Sequence, residues 1–313
     1  MLRPRNLNPT GPPATAGADD SLRRRAIAAY LGLAIGDALG ATVEFMTPNE
    51  IRHKFGEHRE MVGGGWLKLK PGQVTDDTSM SLALGEAILA NGRVDALATA
   101  RAFDAWMRAK PVDIGNTVRR NLISWRRSGE PEAPPSEHDA GNGAAMRVLP
   151  LALATYGHPP DEIVAASRAQ AHVTHNNELS DAACETLVAM LHAYLADDPA
   201  AAKRCIASLV ENRPQYAHDR KRCENPSGYV VDTLHAVFQA LTAHNDFEAC
   251  LIDVVNRGGD ADTTGAIAGM LAGARGGLEA IPLRWLRALD PQVRSQCETQ
   301  AVALMMRVAR RHA

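Results

Sequence analysis

Two short acidic stretches hold the residues best suited to chemistry. Thr75-Asp76-Asp77-Thr78 and Asp260-Ala261-Asp262-Thr263-Thr264 each set two carboxylates among threonines, at the head of a run rich in Ala, Gly and Leu. Side chains of these types are ordinary helix caps, because their oxygens accept the free N–H groups of a first turn. The helix dipole also tolerates their charge there. Adjacent residues on a helix point about 100° apart. Asp76 and Asp77 therefore cannot both cap one helix, and they can reach two different ligands. Brought together, the two stretches would form a cluster of carboxylates that raises its own pKa values unless a cation neutralises it. Hard oxygen ligands suit Mg²⁺ or Mn²⁺ rather than zinc. Two such ions about 3.5–4 Å apart form a hydrolytic arrangement.

Other candidates lie between the two stretches or before them. Glu44 stands at an apolar position in ATVEF, either as a structural hydrogen-bonding group or as a site residue. Asp113, in PVDIGNT, is either a cap or a catalytic carboxylate. Gly141-Asn142-Gly143 is expected to open a helix. Exposed N–H groups there can hold a phosphate or a ligand carbonyl, although a plain turn accounts for the same residues. His172 and His175 are expected to share a helix face or its end.

The elements that position these groups read as helices. The stretch Asn256 to Gly273 is a tight turn feeding a buried helix, with Gly265, Gly269 and Gly273 recurring every four residues along one face. A helix from Ser21 to about Ala41 carries a matching set, Gly32, Gly36 and Gly40. Two such smooth faces predict close-packed central helices. Asp37, inside the second of these helices, needs a partner if buried. Further helices are expected over Asp95–Ala109, Ser180–Leu195 and Val230–Thr242. Asn212–Ser227 is expected to be a surface excursion, and Arg294–Ala313 an exposed amphipathic helix. Residues 1–20 read as a disordered tail.

The bulk properties exclude several classes. The 313 residues are 45% hydrophobic, enough for a sizeable core. With 34 basic and 36 acidic residues, nothing favours nucleic acid or an anionic membrane surface. Five cysteines with no CxxC pair argue against a disulfide framework or zinc ribbon and fit a reducing cytosol. No apolar run is long enough for direct membrane insertion. Abundant alanine, 4% aromatics and no long alternating Val/Ile/Thr runs point to an all-α protein.

The motifs GLAIGDALGATVEF, GGGWLKLKPGQVTDDTSM, PVDIGNT, AGNGAAMR, AHVTH and NRGGDADTTGAIAGMLAGA resemble, in order, those of the ADP-ribosylglycohydrolases. The match runs from about Ala26 to Leu289. GGGWLKL with GQVTDDT is similar to the branch that reactivates dinitrogenase reductase. The resemblance implies a compact all-α single domain over residues 21–313 with a dinuclear Mn²⁺ (or Mg²⁺) centre. It implies Thr75, Asp76, Asp77, Asp260, Asp262 and Thr263 as metal ligands, and Glu44 and Asp113 as the catalytic carboxylates. It implies Asn116, Thr117, Gly141, Asn142, Gly143 and His175 as the residues that hold ADP-ribose. The implied activity is removal of ADP-ribose from an arginine of a target protein, dinitrogenase reductase. A PII-type signalling protein and an ammonium channel are the implied regulatory partners. The implied location is the cytoplasm, with a peripheral position at the inner membrane under regulation.

Three alternatives stand beside this reading. One is a relative acting on serine-linked or small-molecule ADP-ribose. A second is a non-catalytic ADP-ribose binder. The third is an HD-type phosphohydrolase built on His138-Asp139 and His218-Asp219.

Overall fold

The computed structural model describes residues 16–219 and 221–311. In chain order its helices are α1 (Ala16–Gly40), α2 (Pro48–Phe55), α3 (Asp76–Asn91), α4 (Ala96–Arg108), α5 (Asn116–Ser128), α6 (Leu149–Ala154) and α7 (Pro160–Ala171). They continue as α8 (Glu178–Leu195), α9 (Pro199–Asn212), α10 (Val230–Ala243), α11 (Phe247–Val255), α12 (Ala261–Gly276), α13 (Leu283–Ala288) and α14 (Pro291–Arg311). Among the described residues there is no strand, and β pairing is confined to two isolated bridges, Gly64 with Leu69 and Gly141 with Tyr229. The all-α expectation holds.

The centre is the antiparallel pair of α1 and α12, and the two glycine faces meet each other. A Cβ added at Gly36 would lie 1.9 Å from the Gly265 carbonyl oxygen. One at Gly32 would lie 2.1 Å from that of Gly269, and one at Gly273 2.2 Å from that of Ala28. Backbone therefore packs on backbone, which only side-chain-free positions permit. Residues Ala261 to Ala274 of α12 are all buried, with α8, α10 and α11 closing its other sides. This contact brings the C-terminal end of α1 beside the N-terminal end of α12.

Several local expectations are corrected. α1 starts at Ala16, ahead of Ser21; residues 1–15 of the expected tail lie outside the described residues. Gly141–Gly143 opens no α-helix but a single 3₁₀ turn over Asn142–Ala144, and α6 begins only at Leu149. The Asn212–Ser227 region is not merely a surface excursion. Tyr216 within it is fully buried, and its hydroxyl donates to the Leu179 carbonyl at 2.8 Å. α14 is likewise more than an exposed helix, since Cys297, Ala301 and Leu304 pack into the core and Gln300 binds the Tyr30 hydroxyl.

Candidate active site and metal centre

The first acidic turn is held from α1. α3 begins at Asp76, but Thr75 before it gives no side-chain cap. The missing cap comes from Asp37. Its carboxylate accepts the Thr75 N–H at 3.0 Å, the Thr75 hydroxyl at 3.0 Å, the Thr78 N–H at 3.1 Å and the Thr78 hydroxyl. Asp37 is fully buried with no cation against it, and burial raises its pKa to about 6. The sequence shows Asp37 as a buried charge in need of a partner, but only the fold supplies the partner.

The second acidic turn is held by neighbouring loops. Gly258 and Gly259 take φ of +70° and +65°, a region that penalises side chains. Their backbone then pairs with the Glu44 turn: the Phe45 N–H donates to the Gly259 carbonyl at 2.7 Å, and the Gly259 N–H to the Met46 carbonyl at 3.0 Å. The Asp260 N–H donates to the Pro226 carbonyl at 2.8 Å. The 212–227 segment thus braces the acidic turn, a role its charged composition does not advertise.

The two turns meet. The Thr263 hydroxyl donates to Asp77 Oδ2 at 3.2 Å, joining residues 186 positions apart. The Thr75 hydroxyl lies 3.4 Å from Asp262 Oδ2. Single oxygens of Glu44, Asp113 and Asp262 all lie within 4.8 Å of one another. Above these groups opens a cavity of about 410 Å³ lined by Glu44, Asp76, Asp113, Asp260, Asp262 and Thr263. Asn116, Thr117, Gly141, Asn142, Gly143 and His175 complete its wall. Thr75 and Asp77 do not line it but contact Asp262 and Thr263, which do. The expected metal, catalytic and substrate residues therefore converge on one place, whereas His172 lies apart, its Nε2 bonded to the Asp181 carboxylate at 2.9 Å. His138, Asp139, His218 and Asp219 are not among the cavity residues. Asp139 is instead tied to Arg120 and Asn121, and the His218 ring packs on Phe238 at 5.4 Å.

The donor chemistry fits divalent cations. Burial raises Asp76 to about 7, helped by Asp113, and Glu44 to about 8, against a 2.6 Å hydrogen bond from Trp66 Nε1. Burial first, then neighbouring carboxylates, push Asp77 and Asp262 well above the usual range. Asp260 is raised by burial and partly restored by its bond from Asn142. Asp77 Oδ1 is buried with no hydrogen-bond partner at all. A cluster of buried carboxylates, one with an orphaned oxygen and no Lys or Arg bonded to any of them, suits positive charge that the chain itself does not provide. The described carboxylates could hold a metal.

The adjoining wall is polar and ordered. Asn142 donates to Asp260 and to the Thr233 hydroxyl, the latter at 2.9 Å. The Thr174 hydroxyl accepts from buried Arg147 at 2.7 Å and lies 2.8 Å from His175 Nδ1. With Arg147 donating to it, that hydroxyl directs its own proton to Nδ1, which leaves His175 with an Nε2–H donor facing the Gly141–Gly143 turn. Burial, reinforced by Arg147, holds His175 neutral, its pKa well below the usual value. Sequence reasoning missed Thr174 and Arg147, and it missed Phe45 and Trp66 at the cavity mouth. The signal available was a lone Trp directly after three glycines.

Comparisons with known proteins agree with this geometry. The family model described as ADP-ribosylglycohydrolase matches residues 18–313. The chain is 50% identical over 285 residues to the ADP-ribosyl-[dinitrogen reductase] glycohydrolase of Rhodospirillum rubrum, covering 91% of this chain and 97% of that one. It is 36% identical to the ADP-ribosylarginine hydrolase Tri1 of Pseudomonas putida (strain GB-1), covering 84% of this chain and 73% of that protein. A solved structure described as an ADP-ribosylglycohydrolase-related protein complex superposes with a TM-score of 0.81 at 38% identity, over 92% of this chain and 99% of the other. The chain belongs to the ADP-ribosylglycohydrolase family.

Proposed function

We propose that this protein hydrolyses the bond between ADP-ribose and an arginine side chain of a target protein. The observation that carries this reading is the meeting of two distant acidic turns beneath a cavity walled by Asn142, His175 and the Gly141–Gly143 turn. The two relatives named for arginine-linked or dinitrogenase reductase substrates support the substrate class. The extent of the first similarity supports dinitrogenase reductase as the target.

In this reading Thr75, Asp76, Asp77, Asp260, Asp262 and Thr263 would hold two divalent cations, Mn²⁺ or Mg²⁺. Cations held there would supply Lewis acidity to the reaction. Asn142, the His175 Nε2–H, Asn116 and Thr117 bind and orient ADP-ribose, so the ribose C1 faces the Glu44–Asp113–Asp262 group. Hydrolysis breaks the C1–N bond, and the electron pair leaves with the guanidine nitrogen. Asp113, whose Oδ1 is held by the Ile114 N–H at 2.7 Å, takes a proton from the attacking water. Glu44, whose Oε2 is oriented by Trp66, returns a proton to the departing guanidine. Such positioned proton transfer contributes about 10²–10⁴-fold.

The deciding experiment assays release of free ADP-ribose from arginine-linked and serine-linked peptides in parallel. Rapid release from the arginine substrate, lost on chelation and in Asp262→Asn, is expected. Release from the serine substrate alone would move the protein to the rival branch, and binding without turnover would make it a non-catalytic reader. The same reading includes control by a PII-type protein and an ammonium channel at the inner membrane. Co-purification of either partner from nitrogen-replete cells tests this. Among the described residues no helix is long and apolar enough to cross a membrane.

A further inference from the structure

Phe45 and Trp66 are placed with more care than two exposed side chains need. They are 63% and 52% exposed, and their rings lie 5.4 Å apart at 48°. Phe45 adopts φ of +62°, a conformation that a bulky residue takes only where its surroundings impose it. The bonds from the Phe45 N–H to the Gly259 carbonyl and from the Gly259 N–H to the Met46 carbonyl impose it here. Trp66 follows Gly63–Gly65, and the turn is closed by hydrogen bonds of 2.8 and 2.9 Å between Gly64 and Leu69. Its indole N–H is fixed on Glu44. Strained and braced backbone thus presents two aromatic faces to solvent, and neither face completes the core.

The position of these rings gives them a task. The inner cavity of about 410 Å³ adjoins, at Glu44, Phe45 and Trp66, an outer groove of about 880 Å³ walled by α2, with Asn49, Glu50, His53 and Lys54 lining it. Glu44, Phe45 and Trp66 line both spaces. Once ADP-ribose fills the inner cavity with C1 at the carboxylates, the group attached to C1 leaves along this path. A guanidinium is planar, cationic and weakly hydrated, and it stacks on aromatic faces. Once Glu44 has given up its proton to the departing group, its carboxylate beside the rings complements the charge of the guanidinium.

We infer that Phe45 and Trp66 clamp the guanidinium of the modified arginine, and that the outer groove seats the polypeptide segment bearing it. This rests on the function proposed above and extends it to recognition of the leaving group. The rings then favour arginine-linked over serine-linked ADP-ribose, because a serine offers no planar cation to stack.

The test compares wild type, Trp66→Ala, Trp66→Phe and Phe45→Ala on an ADP-ribosylated arginine peptide, with calorimetry of free ADP-ribose on the Mn²⁺-loaded proteins. Trp66→Ala and Phe45→Ala should raise KM about tenfold, with a smaller change in kcat, and leave ADP-ribose affinity within about twofold. Trp66→Phe, which keeps a ring, should recover most of the loss. An unchanged KM in Trp66→Ala overturns the clamp. So does an equal loss of ADP-ribose affinity, which would mean that the rings stack on the nucleotide. A Trp66→Phe variant as impaired as Trp66→Ala would assign the effect to the Glu44 hydrogen bond and overturn stacking. If wild type itself releases no ADP-ribose from the arginine peptide, the underlying function fails instead.

Discussion

Replacing Asp37 with Asn tests how far α1 controls the metal centre. Asp37 takes N–H and O–H from both Thr75 and Thr78. Asparagine keeps one acceptor oxygen and turns an NH₂ toward the other pair. The Thr78 hydroxyl can rotate to accept, but the Thr78 N–H then faces a donor. One unmet buried N–H costs about 1–3 kcal/mol, and the remaining bonds lose their charge assistance. Against this, burial has raised Asp37 from 3.8 to about 6, so its ionisation at neutral pH lowers the stability of the metal-free fold by about 3 kcal/mol relative to an unshifted carboxylate. Asparagine carries no charge to desolvate. The two effects oppose each other and are similar in size, so metal-free stability should shift by no more than about 1–2 kcal/mol. Bound cations remove that balance, because positive charge nearby favours the Asp37 anion and so cancels the gain from neutralising it. α3 is meanwhile left with half of its cap, and the anchor of Thr75, Asp76 and Asp77 is loosened. Loss of a supporting contact behind metal ligands commonly weakens affinity by about 10–100-fold. Calorimetric titration with Mn²⁺ should show a loss of that size, and the rise in Tm on adding Mn²⁺ should shrink with it. Wild-type Mn²⁺ affinity in Asp37→Asn would refute the reasoning, as would gross unfolding of the metal-free variant.

Three further outcomes are expected. Gly36→Ala places a Cβ 1.9 Å from the Gly265 carbonyl oxygen, so the central helices must part by about 1 Å; urea denaturation should show a net loss of about 1–3 kcal/mol despite the better helix propensity of Ala. Asp262→Asn removes one charge from a self-repelling buried cluster, so the metal-free protein should melt higher while Mn²⁺ binding and ADP-ribose release are lost; a lower metal-free Tm would count against the repulsion argument. His175 is held neutral in the fold but takes a proton near pH 6.5 when unfolded, so the unfolded state binds more protons and stability falls as pH drops below that value. The slope is at most about 1.4 kcal/mol per pH unit, and it should be absent in the difference between wild type and His175→Asn if the imidazole does not titrate this way.

Much of this arrangement is legible in the sequence because its signals are local. A glycine every fourth residue fixes which face of α1 and which face of α12 are bare, and bare faces have few partners other than each other. Carboxylate pairs at two helix starts announce oxygen ligands before any fold is known. What escaped was set by contacts distant in the chain. Asp37 caps a helix it does not belong to, 41 positions from Thr78. The 212–227 segment looks solvent-borne by composition, yet its end supplies the carbonyl that anchors Asp260. Gly141–Gly143 has the residues of a helix start, but the turn tightens to 3₁₀ where its backbone pairs across to Gly228 and Tyr229. Tyr216 and α14 are read as exterior because their neighbours are charged; burial at those positions is decided by one residue in several rather than by the average.

The antiparallel contact of α1 and α12 also bears on how a cluster of carboxylates folds before any cation arrives. Asp76 and Asp77 occupy the first turn of α3, and Asp260 and Asp262 the start of α12. The N-terminal end of each helix carries roughly half a positive charge, which favours an adjacent anion by about 0.3–1 kcal/mol and by more where water is excluded. Two such ends converge on the same carboxylates; neither is capped by its own N-cap side chain, although Asp37 caps that of α3 from α1. Backbone N–H groups from Gly115 and Thr263 add direct bonds to Asp76 at 3.3 Å and Asp262 at 2.9 Å. The helix ends therefore offset part of the repulsion without satisfying the orphaned Asp77 oxygen. A chain built this way can close its core around the acidic turns first and take up divalent cations afterwards, with the site already shaped to receive them.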